Sequence, residues 1–239
     1  FDISTRQGTD RYLQWFNAHS HHWFNGRAAM APKQPWNMPE EPHAEPQALA
    51  PTGDAAPKVT VVGYLRLALG VGEAGRQILR ALHHGQVPVR GLPIRISAFS
   101  DEVEQSLEPL FVDSSHASIE IFNINADQLP LVLEKLRPSL HASAWRSVMP
   151  FWELENFPSP WIAALEMVDE VWAPTRFIEG MLKHKVKRPV RYMPLALTFD
   201  PPPPAGRSQF GLDADAFIFY FSFDCFSFVQ RKNPMAVVR

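Results

Sequence analysis

Between residues 58 and 193, short runs rich in β-branched and aromatic residues alternate with runs of helical periodicity. No other feature constrains the fold as much. The first run, VTVVGY at 59–64, is continuously apolar, as a strand buried on both faces of a parallel sheet has to be. A helix with Ile78, Leu79 and Leu82 on one face is expected over 72–84. Strands are expected over 87–98 and 119–125, then a helix over 127–136 that Pro138 ends. A strand over 147–152 leads through a turn carrying Pro158 and Pro160 to a helix over 161–168. A strand at 170–173, a helix over 175–185 capped by Thr175 and a strand at 190–193 complete the series. Alternation of this kind folds as a doubly wound parallel α/β sheet with right-handed crossovers.

The flanking segments read differently. Tyr12, Trp15, Phe16, His19 and Trp23 recur at spacings of three and four, which describes a short amphipathic helix with an aromatic stripe that packs on a neighbouring surface. From 32 to 57 the composition turns to Pro, Ala, Glu and Gln without apolar periodicity, as in an extended linker. The four prolines at 201–204 form a stiff connection, and AFIFYFSF at 216–223 has the composition of the first strand of another sheet. The expected organisation is therefore an aromatic helix at 1–26, a linker at 27–57, an α/β lobe at 58–200, an interlobe linker at 201–212 and the opening of a second lobe at 213–239. Both ends read as cuts.

The bulk properties exclude several function classes. A chain of 239 residues that is 46% hydrophobic can bury a sizeable core. The formal net charge of -2 supplies no basic field for a polyanion, so nucleic acid is not an expected partner. The single cysteine, Cys225, permits no internal disulfide and fits a reducing compartment. No apolar run approaches the roughly 18 to 20 residues of a membrane-spanning helix, and the N-terminus has no signal-peptide pattern. A cytoplasmic protein is expected.

Three segments hold residues with chemical potential. GVGEAG, at 70–75, matches G-x-G-x-x-G between a strand and a helix, where glycines let backbone N–H groups approach a phosphate or a sugar at a helix N-terminus. The competing reading is that these glycines are needed only for a tight turn and close helix packing. In a dinucleotide site the glycines follow the strand at once and an acid closes the second strand. Here residues 65–69 intervene, and the expected second strand ends in Ser97, Ala98 and Phe99. FWELENFPSPW, at 151–161, lies at the C-terminal end of an expected strand. Glu153 and Glu155 flank a leucine and would share one side of an extended segment, as paired acids for proton transfer or for sugar hydroxyls. The competing reading makes one glutamate a turn cap and Trp152, Phe157 and Trp161 core. FDCFSFVQRKNP, at 223–234, presents Arg231 and Lys232 where two cations can hold a diphosphate or simply be solvated.

In this order and spacing, GYLRLALGVGEAGRQILRAL, FNINADQLP, PFWELENFPSPWIAALEMVDEVWAPTRFIEGML and FDCFSFVQRKNPMAVV resemble the landmarks of GT-B glycosyltransferases. The similarity is greatest to the group-1, family-four retaining enzymes of bacterial polysaccharide synthesis, and it covers about residues 58–239. The resemblance implies two Rossmann-like lobes facing across a cleft, of which this chain carries the N-terminal one and a truncated C-terminal one. Gly70 and Gly72 would face the donor phosphates, and Lys232, with Arg231 as helper, would neutralise the departing diphosphate. Glu153 stands where some relatives place a cleft histidine, and Asn125 and Glu155 would bind substrate. The family's arginine before the lysine is absent, since 223–225 reads Phe, Asp, Cys, and its paired-glutamate motif would lie beyond Arg239. The implied reaction moves a sugar from a nucleoside diphosphate sugar to a glycan or lipid-linked hydroxyl, with no metal or other cofactor, and the chain as given would transfer little or no sugar.

Two alternatives remain open: a nicotinamide-dependent oxidoreductase, and a non-catalytic Rossmann-like module of a larger protein. Arg176, Lys183, His184, Lys185, Lys187, Arg188 and Arg191 form a basic stretch that offers peripheral contact with anionic lipid. The favoured reading is a solvated face balanced by Glu166, Asp169, Glu170 and Glu179. His19, His21 and His22 are close in sequence, but no cysteine or spaced acid completes a metal site.

Overall fold

The computed structural model describes residues 57–94, 105–198, 206–223 and 232–238. They fall into two compact units, residues 57–198 within Ala44–Asp200 and the remainder in the other. The aromatic stripe of 6–24, the three histidines, Cys225 and Arg231 lie outside the described residues.

The first unit is a Rossmann-like α/β domain. Its six strands are β1 (Val59–Gly63), β2 (Val89–Pro93), β3 (Ile119–Asn123), β4 (Trp145–Val148), β5 (Glu170–Ala173) and β6 (Val190–Tyr192). They form one sheet in the order β2-β1-β3-β4-β5-β6, with every neighbouring pair parallel. Helix α1 (Gly70–His84) joins β1 to β2, α2 (Leu129–Leu136) joins β3 to β4, α3 (Ser159–Leu165) joins β4 to β5, and α4 (Arg176–Leu182) joins β5 to β6. Every residue of β1 is buried, which is why its sequence shows no polar alternation.

The helices divide between the two faces. Ile78 and Leu79 of α1 pack with Val59, Val61, Val89, Ile121 and Met149 on one side. Leu129, Leu165, Ile178 and Leu182 of α2, α3 and α4 pack with Val62, Phe122, Val148, Val171 and Ala173 on the other. Each fully buried side chain of this size contributes about 1.5–3 kcal/mol, so the two layers dominate the stability of the unit. The chain changes face between β2 and β3, and the strand order reverses at β1 and β3. In an open parallel sheet the ligand crevice forms there, outside the C-terminal strand ends.

Element boundaries move for local reasons. β4 ends at Val148, short of the expected 152, because Pro150 has no N–H to give and Phe151 donates its own to a side chain, Oδ1 of Asn125. Helix α2 starts at Leu129 rather than 127, since 125–128 closes a turn in which the Gln128 N–H reaches the Asn125 carbonyl at 3.1 Å. Thr175 does cap α4, accepting from the Ile178 N–H at 3.2 Å. β2 ends at Pro93, earlier than expected, and 95–98 lie outside the described residues.

In the second unit a 3-10 turn at Arg207–Phe210 is closed by Gly211 at φ +63°, and a short helix α5 spans Pro234–Val238. The strand expected at 216–223 is not formed. The stretch has no ladder partner among the described residues, and Phe217, Phe219 and Tyr220 are 83–86% exposed, so its apolar composition is not matched by pairing among them.

Candidate functional site

At the switch point, where an open parallel sheet places its ligand crevice, the loop after β1 and the first turn of α1 stand beside the ends of β3 and β4. Between Gly63 and Gly70 the chain folds on itself: the Leu67 N–H reaches the Tyr64 carbonyl at 3.0 Å, and the Leu69 N–H reaches the Leu67 carbonyl at 2.8 Å. Arg76, 3% exposed, turns back from α1 and donates Nη1 to the carbonyls of Leu65 (3.2 Å) and Leu67 (2.9 Å). Its charge is met by Glu73 at 2.7 Å. A helix arginine has thus become the scaffold of the loop.

The three glycines of the motif serve different ends. A Cβ on Gly72 would lie 2.5 Å from the Tyr64 carbonyl oxygen and 2.7 Å from that of Leu67, so its missing side chain is consumed by packing inside the protein. Gly75 plays the same part, since a Cβ there would meet Leu65 at 2.9 Å and Asn123 at 3.2 Å. Gly70 alone is exposed with nothing within 4 Å of its virtual Cβ, which leaves its backbone open to a ligand. The first intrahelical bond is Glu73 N–H to Leu69 carbonyl at 2.8 Å, so the N–H groups of Gly70, Val71 and Gly72 have no acceptor within the helix. No side chain caps this end. The arrangement favours an anion or a strong acceptor.

The end of β3 supplies the second wall. Asn123 is fully buried and donates Nδ2 to the Val71 carbonyl at 2.5 Å, while its Oδ1 has no partner. Asn125, two residues on, accepts the Phe151 N–H at 3.3 Å and so ties the loop after β3 to the loop after β4. Tyr64 donates its hydroxyl to Gln128 Oε1 at 2.8 Å. Burial, and then the charge of Asp127, raise the Tyr64 hydroxyl above its ordinary pKa, so it remains a donor at neutral pH.

Glu153 and Glu155 lie in the loop after β4, both exposed. The chain bends at 154–156, so the shared side that an extended segment would give them does not apply. Beside them Trp152, Phe157 and Trp161 pack edge to face, and only Phe157 is fully buried. Gly70, Gly72, Asn125 and the carboxylate loop are thus grouped along neighbouring strand ends. Lys232 is partly buried and belongs to the second unit.

Sequence reasoning passed over Asn123, Tyr64 and Arg76. A polar residue ending an apolar strand was a usable signal for Asn123. Arg76 had none, because an arginine in a helix reads as solvated until its burial is known.

The three arginines of the basic stretch have local acidic partners. Arg176 pairs with Glu179 at 2.7 Å and Arg191 with Glu170 at 2.9 Å, and Arg188 hydrogen-bonds the Glu166 carbonyl at 3.1 Å. Among the described residues there is no group of three His, Cys, Asp or Glu able to hold a metal, and no helix long and apolar enough to cross a membrane.

No protein-family model matches the chain, and no curated protein matches it. What the architecture establishes is the class: a Rossmann-like α/β domain on a six-stranded, all-parallel sheet of order 2-1-3-4-5-6.

Proposed function

We propose that the chain belongs to a nucleotide-sugar glycosyltransferase of GT-B type, with the α/β unit as its N-terminal lobe and Lys232 as a cation for the departing diphosphate. The observation that carries this reading is the state of Gly70: an exposed, uncrowded backbone opening a 15-residue helix at the switch point of the sheet, with three N–H donors lacking intrahelical acceptors. Partial positive charge at that point suits a phosphate or the oxygens of a sugar. In the proposed scheme the backbone donors of the α/β unit hold a phosphate or sugar oxygen and the loop carrying Glu153 and Glu155 handles the acceptor hydroxyl; the role of Lys232 rests on the resemblance of its own segment. The acceptor is a glycan or lipid-linked glycan of surface polysaccharide synthesis, worked on in the cytoplasm or at the inner face of the membrane.

The nicotinamide alternative is weakened by two features. Gly72, the glycine that should admit a pyrophosphate, is filled by the protein's own carbonyls. Residues 87–94, covering β2 and its end, contain no carboxylate to hold a ribose.

The test is donor hydrolysis and transfer by the full-length gene product with a panel of UDP and GDP sugars, beside Lys232→Ala. Release of UDP or GDP that collapses by about 100-fold or more in the variant, the scale of losing one charge-stabilising group, is the expected result. No release with any donor would sink the reading and favour a non-catalytic module.

A further inference from the structure

The loop after β4 carries an aromatic cluster that the glycine crevice does not use. Ring centroids lie 5.0 Å apart for Trp152 and Trp161, 5.8 Å for Trp152 and Phe157, and 6.0 Å for Phe157 and Trp161, all edge to face. Phe157 is the buried base, and both tryptophans keep part of their surface in solvent. The loop is already held in shape: Trp152 donates Nε1–H to the Asn156 carbonyl at 2.9 Å, and the Trp161 N–H reaches the Pro158 carbonyl at 3.0 Å. Rings fixed in this way lose little freedom when a ligand arrives. Around them stand Glu153, Leu154 and Glu155, all exposed, and Glu155 has no hydrogen-bond or ion-pair partner among the described residues. The bond from Phe151 N–H to Asn125 fixes this loop to the crevice wall.

We infer that Trp152 and Trp161, set nearly at right angles, form a corner that holds a pyranose ring of a neutral glycan, one indole against its C–H face and the other at its rim, with Glu155 accepting hydrogen bonds from its hydroxyls. A pyranose has a C–H face and a rim of O–H donors. Its C–H bonds carry partial positive charge and suit the negative face of an indole. A carboxylate is purely an acceptor and matches hydroxyl donors. The exposed Glu155 carboxylate also repels phosphate, which separates this site from the helix N-terminus that favours anions, and argues against a nucleotide in the corner. The inference deepens the glycosyl-transfer reading by naming what receives the sugar. It rests on that reading for the role of the glycan, while the binding stands by itself.

The experiment is titration of the 239-residue chain with mannotriose and with maltotriose, following the indole N–H signals of Trp152 and Trp161 by NMR, with UDP as comparison. Saturable shifts of both indoles with at least one trisaccharide are expected, and none with UDP. Glu155→Gln, a surface change that leaves the loop intact, should weaken binding about tenfold, as loss of a charged hydrogen bond does. Trp161→Ala should abolish it, and Trp161→Phe should restore part of it. Indoles silent to both trisaccharides at millimolar concentration would overturn the corner site, as would shifts with UDP that Glu155→Gln leaves unchanged. Trisaccharide binding without donor hydrolysis in the full-length protein would sink the transferase reading alone. Donor hydrolysis without trisaccharide binding would sink the corner site alone.

Discussion

Asn123, at the end of β3, donates its side-chain amide to the backbone carbonyl of Val71 at 2.5 Å, so the sheet itself holds the first turn of α1. Asn123 is itself fully buried, and the bond joins residues 52 apart in sequence. Asn123→Ala should cost about 1–3 kcal/mol, the range for losing one buried polar contact. Urea unfolding should show a lower midpoint with an unchanged slope. Faster amide exchange in the first turn of α1 should accompany it. An unchanged midpoint would mean that the helix start is held by packing alone.

Gly70 and Gly72 differ in the space that their missing side chains leave. Gly72→Ala drives a Cβ against the carbonyls of Tyr64 and Leu67, both backbone atoms that cannot swing aside. A loss of about 1–3 kcal/mol or more is expected, as for overpacking elsewhere. Gly70→Ala meets nothing and should leave thermal stability unchanged or slightly raised. Equal destabilisation by the two would contradict this division. On the glycosyl-transfer reading, Gly70→Val should weaken UDP-sugar or GDP-sugar binding without lowering the melting temperature.

At the opposite ends of the strands Glu120 is completely buried and paired with Arg146 at 2.9 Å, with the His141 N–H as a second donor at 2.7 Å. Arg146 also binds the His141 carbonyl, closing the group into a network. Arg146→Ala strands a carboxylate in the core and should destabilise by about 3–5 kcal/mol. Glu120→Gln with Arg146→Met should recover much of that loss. Calorimetry of the single and double variants measures the coupling, and purely additive effects would count against the network.

Glu73 should give the protein an acid-sensitive contact. Burial pushes its carboxyl up, but hydrogen bonds from Gln77 and Arg76 and the charges of Arg76 and Arg80 outweigh burial and hold it below its ordinary value of 4.5. A depressed folded pKa contributes stability that is fully present above the unfolded value and is lost as pH falls through the folded one. The difference in melting temperature between wild type and Glu73→Gln should therefore be widest above 4.5 and close as the pH falls below it. A pH-independent difference would mean that shape, not charge, is lost. The same glutamate accepts from Gln77, whose Oε1 takes both the N–H and the hydroxyl of Thr198 at 2.8 Å, so fraying of 193–198 should be slower in wild type than in the variant above 4.5, and that difference too should close as the pH falls.

The strand series, the helix series and the Thr175 cap were legible because each depends on local pattern. Residues 216–223 were not, although their composition is among the most β-prone in the chain. A strand needs a ladder partner, and that partner is a property of the surrounding fold. The candidate site divides in the same way. Gly70, Asn125 and the glutamates of the β4 loop were visible as residue types at strand ends. Tyr64 and Asn123 were hidden inside apolar runs, where a polar side chain reads as incidental until its partner 64 or 52 residues away is known.

By itself the sequence determined the class of the fold, because apolar periodicity fixes which segments are strands and helices, and alternation leaves a parallel sheet as the way to bury them. Only the tertiary structure decided where the strand order reverses, which glycine is open, and that Arg76 faces inward. Those outcomes depend on distances between segments far apart in the chain, and no local pattern encodes a distance.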